Sequence, residues 1–117
     1  SKLLNQEPAP TAPAPAQTPQ PTEADKKLFA AQDAAAAIKK SAKNPASLKF
    51  TTATILPDGT ACMAYTAQNS YGAATKELAV FVPGTGLATG KAGAETHKKL
   101  CKGRQGKSIT ATLNAAI

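Results

Sequence analysis

Residues 48–67 read LKFTTATILPDGTACMAYTA, and this stretch decides the fold of the chain. Its two halves, 48–56 and 60–67, are rich in the β-branched and aromatic residues that favour strands. Between them stands Pro-Asp-Gly at 57–59, where proline fixes φ and glycine permits a positive φ, so the chain turns. A connection this short makes the two strands adjacent and antiparallel. The stretch therefore predicts a β-hairpin.

A third strand is predicted from KELAVFV at 76–82, which follows the turn sequence Asn-Ser-Tyr-Gly at 69–72. Leu78, Val80 and Val82 alternate along it and share one face. Three such strands form an antiparallel meander with one apolar face, and that face needs a covering layer. We therefore predict an α+β fold in which a helix packs on a three-stranded meander.

The covering helix is predicted to begin after Thr22. Thr22 is an N-cap residue, and Asp25 stands three positions later, as in a capping box. The helix is expected to end near Lys43, because the Asn-Pro sequence that follows disfavours α geometry. Its apolar residues recur at spacings of three and four and form a stripe toward the sheet: Leu28, Ala31, Ala35 and Ile38, widened by Phe29.

The C-terminal third carries weaker signals. Residues 84–93 hold four glycines and are predicted to be a mobile loop. Residues 94–102 suit a short second helix that Gly103 terminates. Residues 108–113 alternate and are compatible with a fourth strand, whereas 114–117 are expected to fray.

The chain has two cysteines, Cys62 and Cys101. A disulfide between them would close a loop of about 40 residues, worth on the order of 4 kcal/mol in the chain-entropy model. It would tie the short second helix to the middle strand of a domain whose core is light in aromatic residues. The alternative is a pair of buried free thiols in a cytosolic protein. We predict the disulfide.

The first 21 residues differ from the rest in composition. Residues 5–21 contain six of the nine prolines and no apolar residue larger than alanine. Residues 1–21 are therefore predicted to be a disordered stalk, and residues 22–117 the folded domain. The sequence contains neither a signal peptide nor an apolar run of about 20 residues. Stalk and disulfide together predict export to the periplasm or to the outer membrane and cell surface.

Charge is concentrated at the C-terminal end. Residues 84–117 carry six basic side chains against Glu95 alone, and the whole chain has a net charge of +7. A basic end of this kind attracts polyanions, and the alternative is an ordinary solvated surface. The predicted polyanion-binding residues are Lys98, Lys99, Lys102, Arg104 and Lys107.

Catalytic and metal-binding patterns are not found in the sequence. The single histidine, His97, is expected to be an ordinary surface residue, and we expect no enzyme activity, metal or cofactor. Asn69 and Tyr71 are predicted to contact a partner, because an exposed tyrosine in a polar turn suits an interface. The alternative is that Tyr71 packs over the sheet edge and Asn69 caps the turn.

Three short motifs carry a family resemblance: P-x-S-x-K-F at 45–50, D-G-x-x-C at 58–62 and N-x-x-G at 69–72. In these the chain resembles small, functionally uncharacterised exported proteins and lipoproteins of Gram-negative bacteria. It departs from their pattern at Met63, where glycine is usual, and at Thr66, where asparagine is common. The resemblance implies an exported protein with a shared fold, and it implies no particular activity.

The function predicted from the sequence is therefore that of a non-enzymatic cell-envelope or surface-exposed protein. It would bind an envelope or host protein as a monomer and, being exposed, would be a natural surface antigen. The alternative is binding of a polyanion such as lipopolysaccharide or nucleic acid through the basic C-terminal third. A small enzyme inhibitor that presents a turn is a third class, which no residue favours.

Overall fold

A five-stranded antiparallel sheet forms the centre of the fold in a computed structural model that describes residues 20–117. The strands, in chain order, are β1 (Lys49–Ile55), β2 (Ala61–Gln68), β3 (Ala74–Val82), β4 (Gly86–Ala88) and β5 (Lys107–Ser108). Their order across the sheet is β4-β3-β2-β1-β5. The predicted meander is confirmed as β1-β2-β3, and one further strand extends it at each edge. The predicted stalk lies outside the described residues, apart from its last two.

Three α-helices cover the two faces of the sheet: α1 (Glu23–Ser41), α2 (Gly90–Leu100) and α3 (Thr110–Ala116). A single 3₁₀ turn, Pro45–Ser47, leads from α1 into β1. Helices α1 and α3 share one face, whereas α2 packs on β3 and β4 from the other. The α+β class and the N-terminal helix on the sheet are thus confirmed.

Helix α1 begins as predicted. The Thr22 hydroxyl accepts a hydrogen bond from the backbone N–H of Asp25, and the Asp25 carboxylate accepts one from the backbone N–H of Thr22. This reciprocal pair is a capping box, and it satisfies two backbone donors that the first turn leaves free. The helix ends at Ser41, slightly before the predicted Lys43, because Ala42 already has extended backbone geometry.

The larger apolar cluster lies between α1, α3 and the sheet. Phe50, Met63 and Leu113 are fully buried in it, and the rings of Phe50 and Tyr65 meet edge to face at 5.7 Å. The α1 stripe lines it as predicted, but Phe29 does not join: that residue is 50% exposed. The reason is helical geometry, because Phe29 is turned about 100° from Leu28 and so leaves the buried face.

A smaller cluster on the other face contains the disulfide. Cys62 in β2 bonds to Cys101 directly after α2, and both are buried together with Leu56 and Val80. The predicted pairing is confirmed. The bond joins residues 39 positions apart in sequence. It ties the end of α2 to the middle strand of the sheet.

The prediction of a mobile loop over 84–93 was wrong. Strand β4 pairs with the end of β3, and α2 begins at Gly90, earlier than the predicted 94–102 helix. Gly84, Gly86 and Gly90 all have positive φ, so they supply turn geometry between regular elements. In this segment the high glycine content marks tight turns.

The prediction of a fourth strand over 108–113 was wrong as well. Strand β5 covers only Lys107–Ser108, and the chain then forms α3, which includes three of the four residues expected to fray. Ile109 and Leu113 are both buried at a spacing of four, which is the helical repeat. A segment this short fits both periods, and packing against α1 and β1 decides for the helix.

Helix α3 also closes the free edge of β1 with side chains. The Asn114 amide donates to the Phe50 carbonyl at 3.0 Å, and its oxygen accepts from the Phe50 N–H at 2.8 Å. Further along the edge, the Thr110 hydroxyl accepts from the Ala53 N–H at 3.0 Å. These bonds replace those of a neighbouring strand, so that the edge is not open to other chains.

Replacing Asn114 by alanine should therefore cost about 1–3 kcal/mol, because two half-buried backbone groups of Phe50 lose their partner. Urea unfolding measures the loss, and hydrogen exchange of the Phe50 amide should accelerate. Asn44→Ala is the matched control, since that side chain bonds only the exposed Gln68 side chain. Equal losses in the two variants would contradict this role for Asn114.

Candidate interaction surfaces

The turn between β2 and β3 is rigid and carries a free aromatic side chain. The Asn69 carboxamide oxygen accepts hydrogen bonds from the backbone N–H groups of Tyr71 at 2.9 Å and Ala73 at 3.1 Å. Gly72 has φ of 82° and donates its N–H to the Asn69 carbonyl. The Tyr71 side chain is 94% exposed, so it does not pack over the sheet edge. Asn69 holds the backbone while Tyr71 is presented to solvent.

The outer face of α2 is basic. Lys91, Lys98 and Lys99 on the helix and Lys102 in the turn after it are all exposed, with Glu95 among them. The opposite side of the helix is fixed to the sheet through buried Gly93 and the adjoining disulfide. These four lysines, named here the lysine face, therefore stand on a rigid support. Lys91 was not in the predicted set, because the segment around it was interpreted as a loop.

The other two predicted basic residues lie elsewhere. Arg104 donates to the Leu100 carbonyl at 3.2 Å and pairs with the Asp58 carboxylate at 3.4 Å, which links the end of α2 to the β1–β2 turn. Lys107 belongs to β5 and borders a cleft on the α1 side of the sheet. The five predicted residues are thus divided among three places.

Asp58 organises the β1–β2 turn. Its carboxylate accepts a hydrogen bond from the backbone N–H of Thr60 at 3.0 Å. That bond, together with the Thr60 hydroxyl and the Arg104 guanidinium, holds the pKa of Asp58 below its usual value. The charged form is therefore favoured in the folded protein.

This depressed pKa predicts a pH dependence of stability. The contribution of Asp58 is fully present above the unfolded-state pKa of about 3.9, and it is lost as the pH falls through the lower folded-state pKa. Asp58→Asn should therefore flatten the acid side of the stability profile, measured by urea unfolding between about pH 5 and pH 2. Asp33→Asn, at an exposed site on α1, is the control. An unchanged profile in Asp58→Asn would refute the role of the carboxylate.

The single histidine is His97, which was predicted to be an ordinary surface residue. It is half-buried on α2, and desolvation lowers the pKa of its imidazole. Desolvation therefore favours the neutral form of this imidazole. His97 precedes the buried Cys101 by four positions and so lies on the side of α2 that faces the sheet, which accounts for its partial burial.

A cleft of about 400 Å³ opens between the first turns of α1, the end of β1 and the β5–α3 segment. Leu28, Ile55, Pro57 and Ile109 line it, with Lys107 and Thr112 at its border. No local sequence pattern indicates this cleft, because its walls come from three separate segments of the chain. The fold brings together the 12 residues that line the cleft.

Within residues 20–117, no three His, Cys, Asp or Glu side chains come together as a metal site would require. The same residues include no helix both long and apolar enough to cross a membrane. Comparison of the chain with protein-family models, with curated proteins and with solved structures finds no match.

Proposed function

We propose that this protein is a non-enzymatic binding module of the bacterial envelope or cell surface, which presents Tyr71 to a partner protein. The observation that carries the proposal is the 94% exposure of Tyr71 on a turn fixed by four hydrogen bonds. The disulfide is compatible with an oxidising, extracytoplasmic compartment. Relationship to the small exported proteins of Gram-negative bacteria is part of the same proposal.

A tyrosine on a rigid turn is an economical contact residue. It offers a large amphipathic surface with only two side-chain torsions to fix, and tyrosine is enriched among residues that dominate binding energy. The Asn69 hydrogen bonds already order the backbone, so that binding does not have to. An exposed site of this kind is equally accessible to antibodies.

In-cell photo-crosslinking tests the proposal. Tyr71 is replaced by p-benzoylphenylalanine in the full chain, and the exposed Phe29 receives the same residue in the matched control. We expect a discrete covalent adduct with one partner from position 71 and none from position 29. Absence of an adduct from position 71, or the same adducts from both positions, would overturn it.

A second candidate, polyanion binding, is favoured by the lysine face. Lys91 and Lys98 are seven positions apart, which is about two helical turns, so they share one side of α2. Lys99 lies about 100° around the helix from Lys98, and Lys102 lies in the turn that follows the helix. Lipopolysaccharide and nucleic acid both present repeated anionic groups to such a surface. Contacts of this type release counterions, so the affinity falls steeply with salt and depends little on sequence.

Heparin titration at several salt concentrations tests the second candidate, with lipopolysaccharide and a short DNA duplex in parallel. Lys98, Lys99 and Lys102 are replaced together by alanine, and the control replaces three exposed lysines outside the face: Lys40, Lys43 and Lys49. Both variants lose the same net charge. We expect the logarithmic salt slope to fall by about 3 in the first variant only. Equal changes of the salt slope in both variants would show that the lysine face is only a solvated surface.

A further inference from the structure

The cleft beside α1 lies at the opposite end of the sheet from Tyr71. Lys49 pairs with Thr66 near the turn that carries Tyr71, whereas Ile55 pairs with Ala61 at the other end, where the cleft opens. Eight residues of β2 separate the two ends, which is about 25 Å. A ligand in the cleft therefore makes no contact with the turn of Tyr71.

The floor of the cleft is apolar and not closed off from water. Leu28 and Ile55 line it and are only half-buried, although both pack against the main apolar cluster. Ile109 is buried beneath them. Apolar side chains that are held in place but remain wetted gain free energy when a ligand displaces the water.

Three charged side chains border the cleft, and they differ in whether they already have a hydrogen-bond partner. The Asp25 carboxylate is already engaged by the Thr22 backbone N–H in the capping box. The Lys27 ammonium donates to the Pro57 carbonyl at 2.7 Å and so spans one border of the cleft. The Lys107 side chain is exposed and makes no hydrogen bond or ion pair within residues 20–117. With one acidic and two basic side chains in its lining, the cleft has a net positive charge, and the ammonium group of Lys107 is the one without a partner among residues 20–117.

We propose that this cleft binds a small amphipathic anion, with one short apolar body and one carboxylate or sulfonate. The apolar body lies on Leu28 and Ile55, and the anionic group meets Lys107. A volume of about 400 Å³ suits a small molecule or a short acyl chain. This site goes beyond the binding of a protein partner at Tyr71, and neither depends on the other.

Octanoate is the probe, titrated into the full-length oxidised protein and followed by ¹H–¹⁵N correlation NMR. We expect saturable shifts confined to 24–28, 55–57 and 106–112, and none at 69–73. Octylamine and octanol carry the same chain with a positive charge or none, and they should bind at least about threefold more weakly. Shifts centred elsewhere, or equal affinity for all three compounds, would overturn the proposal.

Two pairs of variants sharpen the test. Thr112→Trp places a bulky ring at the border of the cleft and should abolish octanoate binding, whereas Ala111→Trp, on the neighbouring exposed position of α3, should not. Lys107→Gln should weaken binding at least about threefold, and Lys102→Gln, which removes the same charge from the lysine face, should leave it unchanged. Undiminished binding to both Thr112→Trp and Lys107→Gln would refute the site.

Discussion

Replacing Gly93 by alanine is expected to destabilise the protein by about 2 kcal/mol, although alanine is the better helix residue. Gly93 lies in α2 where the helix crosses β3 and β4. A Cβ atom there would stand 2.5 Å from the Leu78 carbonyl oxygen and 2.8 Å from that of Ala88. Both obstacles are backbone atoms of the sheet, so they have no rotamer by which to move aside. The helix must retreat instead, which loosens the cluster around the disulfide.

The two competing effects can be separated by experiment. Ala92→Gly, on the exposed side of α2, should cost about 1 kcal/mol through helix propensity alone. If propensity governed position 93 as well, Gly93→Ala would raise stability by a similar amount. Urea unfolding of both variants therefore distinguishes the two effects. A clash with the sheet lowers the free energy of unfolding of Gly93→Ala, whereas helix propensity raises it. A stabilised Gly93→Ala protein would contradict the close approach of α2 to the sheet.

Removal of the disulfide should have the largest effect of any change described. The bond closes a loop of 39 positions in a small domain, and in the chain-entropy model that is worth about 4 kcal/mol. Replacing Cys62 and Cys101 together by alanine should lower the free energy of unfolding by about that amount. Protection of α2 amides from hydrogen exchange should fall first, because the bond holds the end of that helix.

The reduced wild-type protein provides the control for this variant. With a strong reductant present, wild type and the double variant should unfold within about 1 kcal/mol of each other, since both then lack the cross-link. Under oxidising conditions they should differ by the full amount. Equal stability in the absence of reductant would show that the bond does not contribute.

The sequence was sufficient for those parts of the fold that local signals determine. Thr22 and Asp25 define the start of α1, and Pro-Asp-Gly at 57–59 defines the β1–β2 hairpin. The cysteine pairing followed from the presence of only two cysteines. In the first two cases the physical cause lies within a few residues, and in the third only one intramolecular disulfide can form.

The C-terminal third could not be derived in the same way, because packing determines it. Ile109 and Leu113 fit a strand or a helix by spacing, and only contact with α1 and β1 selects the helix. Position 93 of helix α2 is a glycine because two sheet carbonyls leave no room for a side chain. Such requirements involve partners distant in sequence, which a local pattern does not contain.

The candidate sites also differ in whether a local sequence pattern indicates them. Tyr71 could be identified from its turn sequence, and its exposure agrees with that expectation. The walls of the cleft at Leu28 and Lys107 come from three segments that are distant in sequence, so no local sequence pattern indicates it. The lysine face was found only in part, because Lys91 joins it through the early start of α2.

Thiol counting in the native compartment tests the central claim most directly, namely that this is an oxidised, extracytoplasmic module. Cells that produce the full-length protein are quenched with a thiol-alkylating reagent, and the intact mass is measured before and after reduction. We expect no alkylation without reductant and two alkylated thiols after reduction, at Cys62 and Cys101. Two alkylated thiols in the unreduced native protein would contradict the claim.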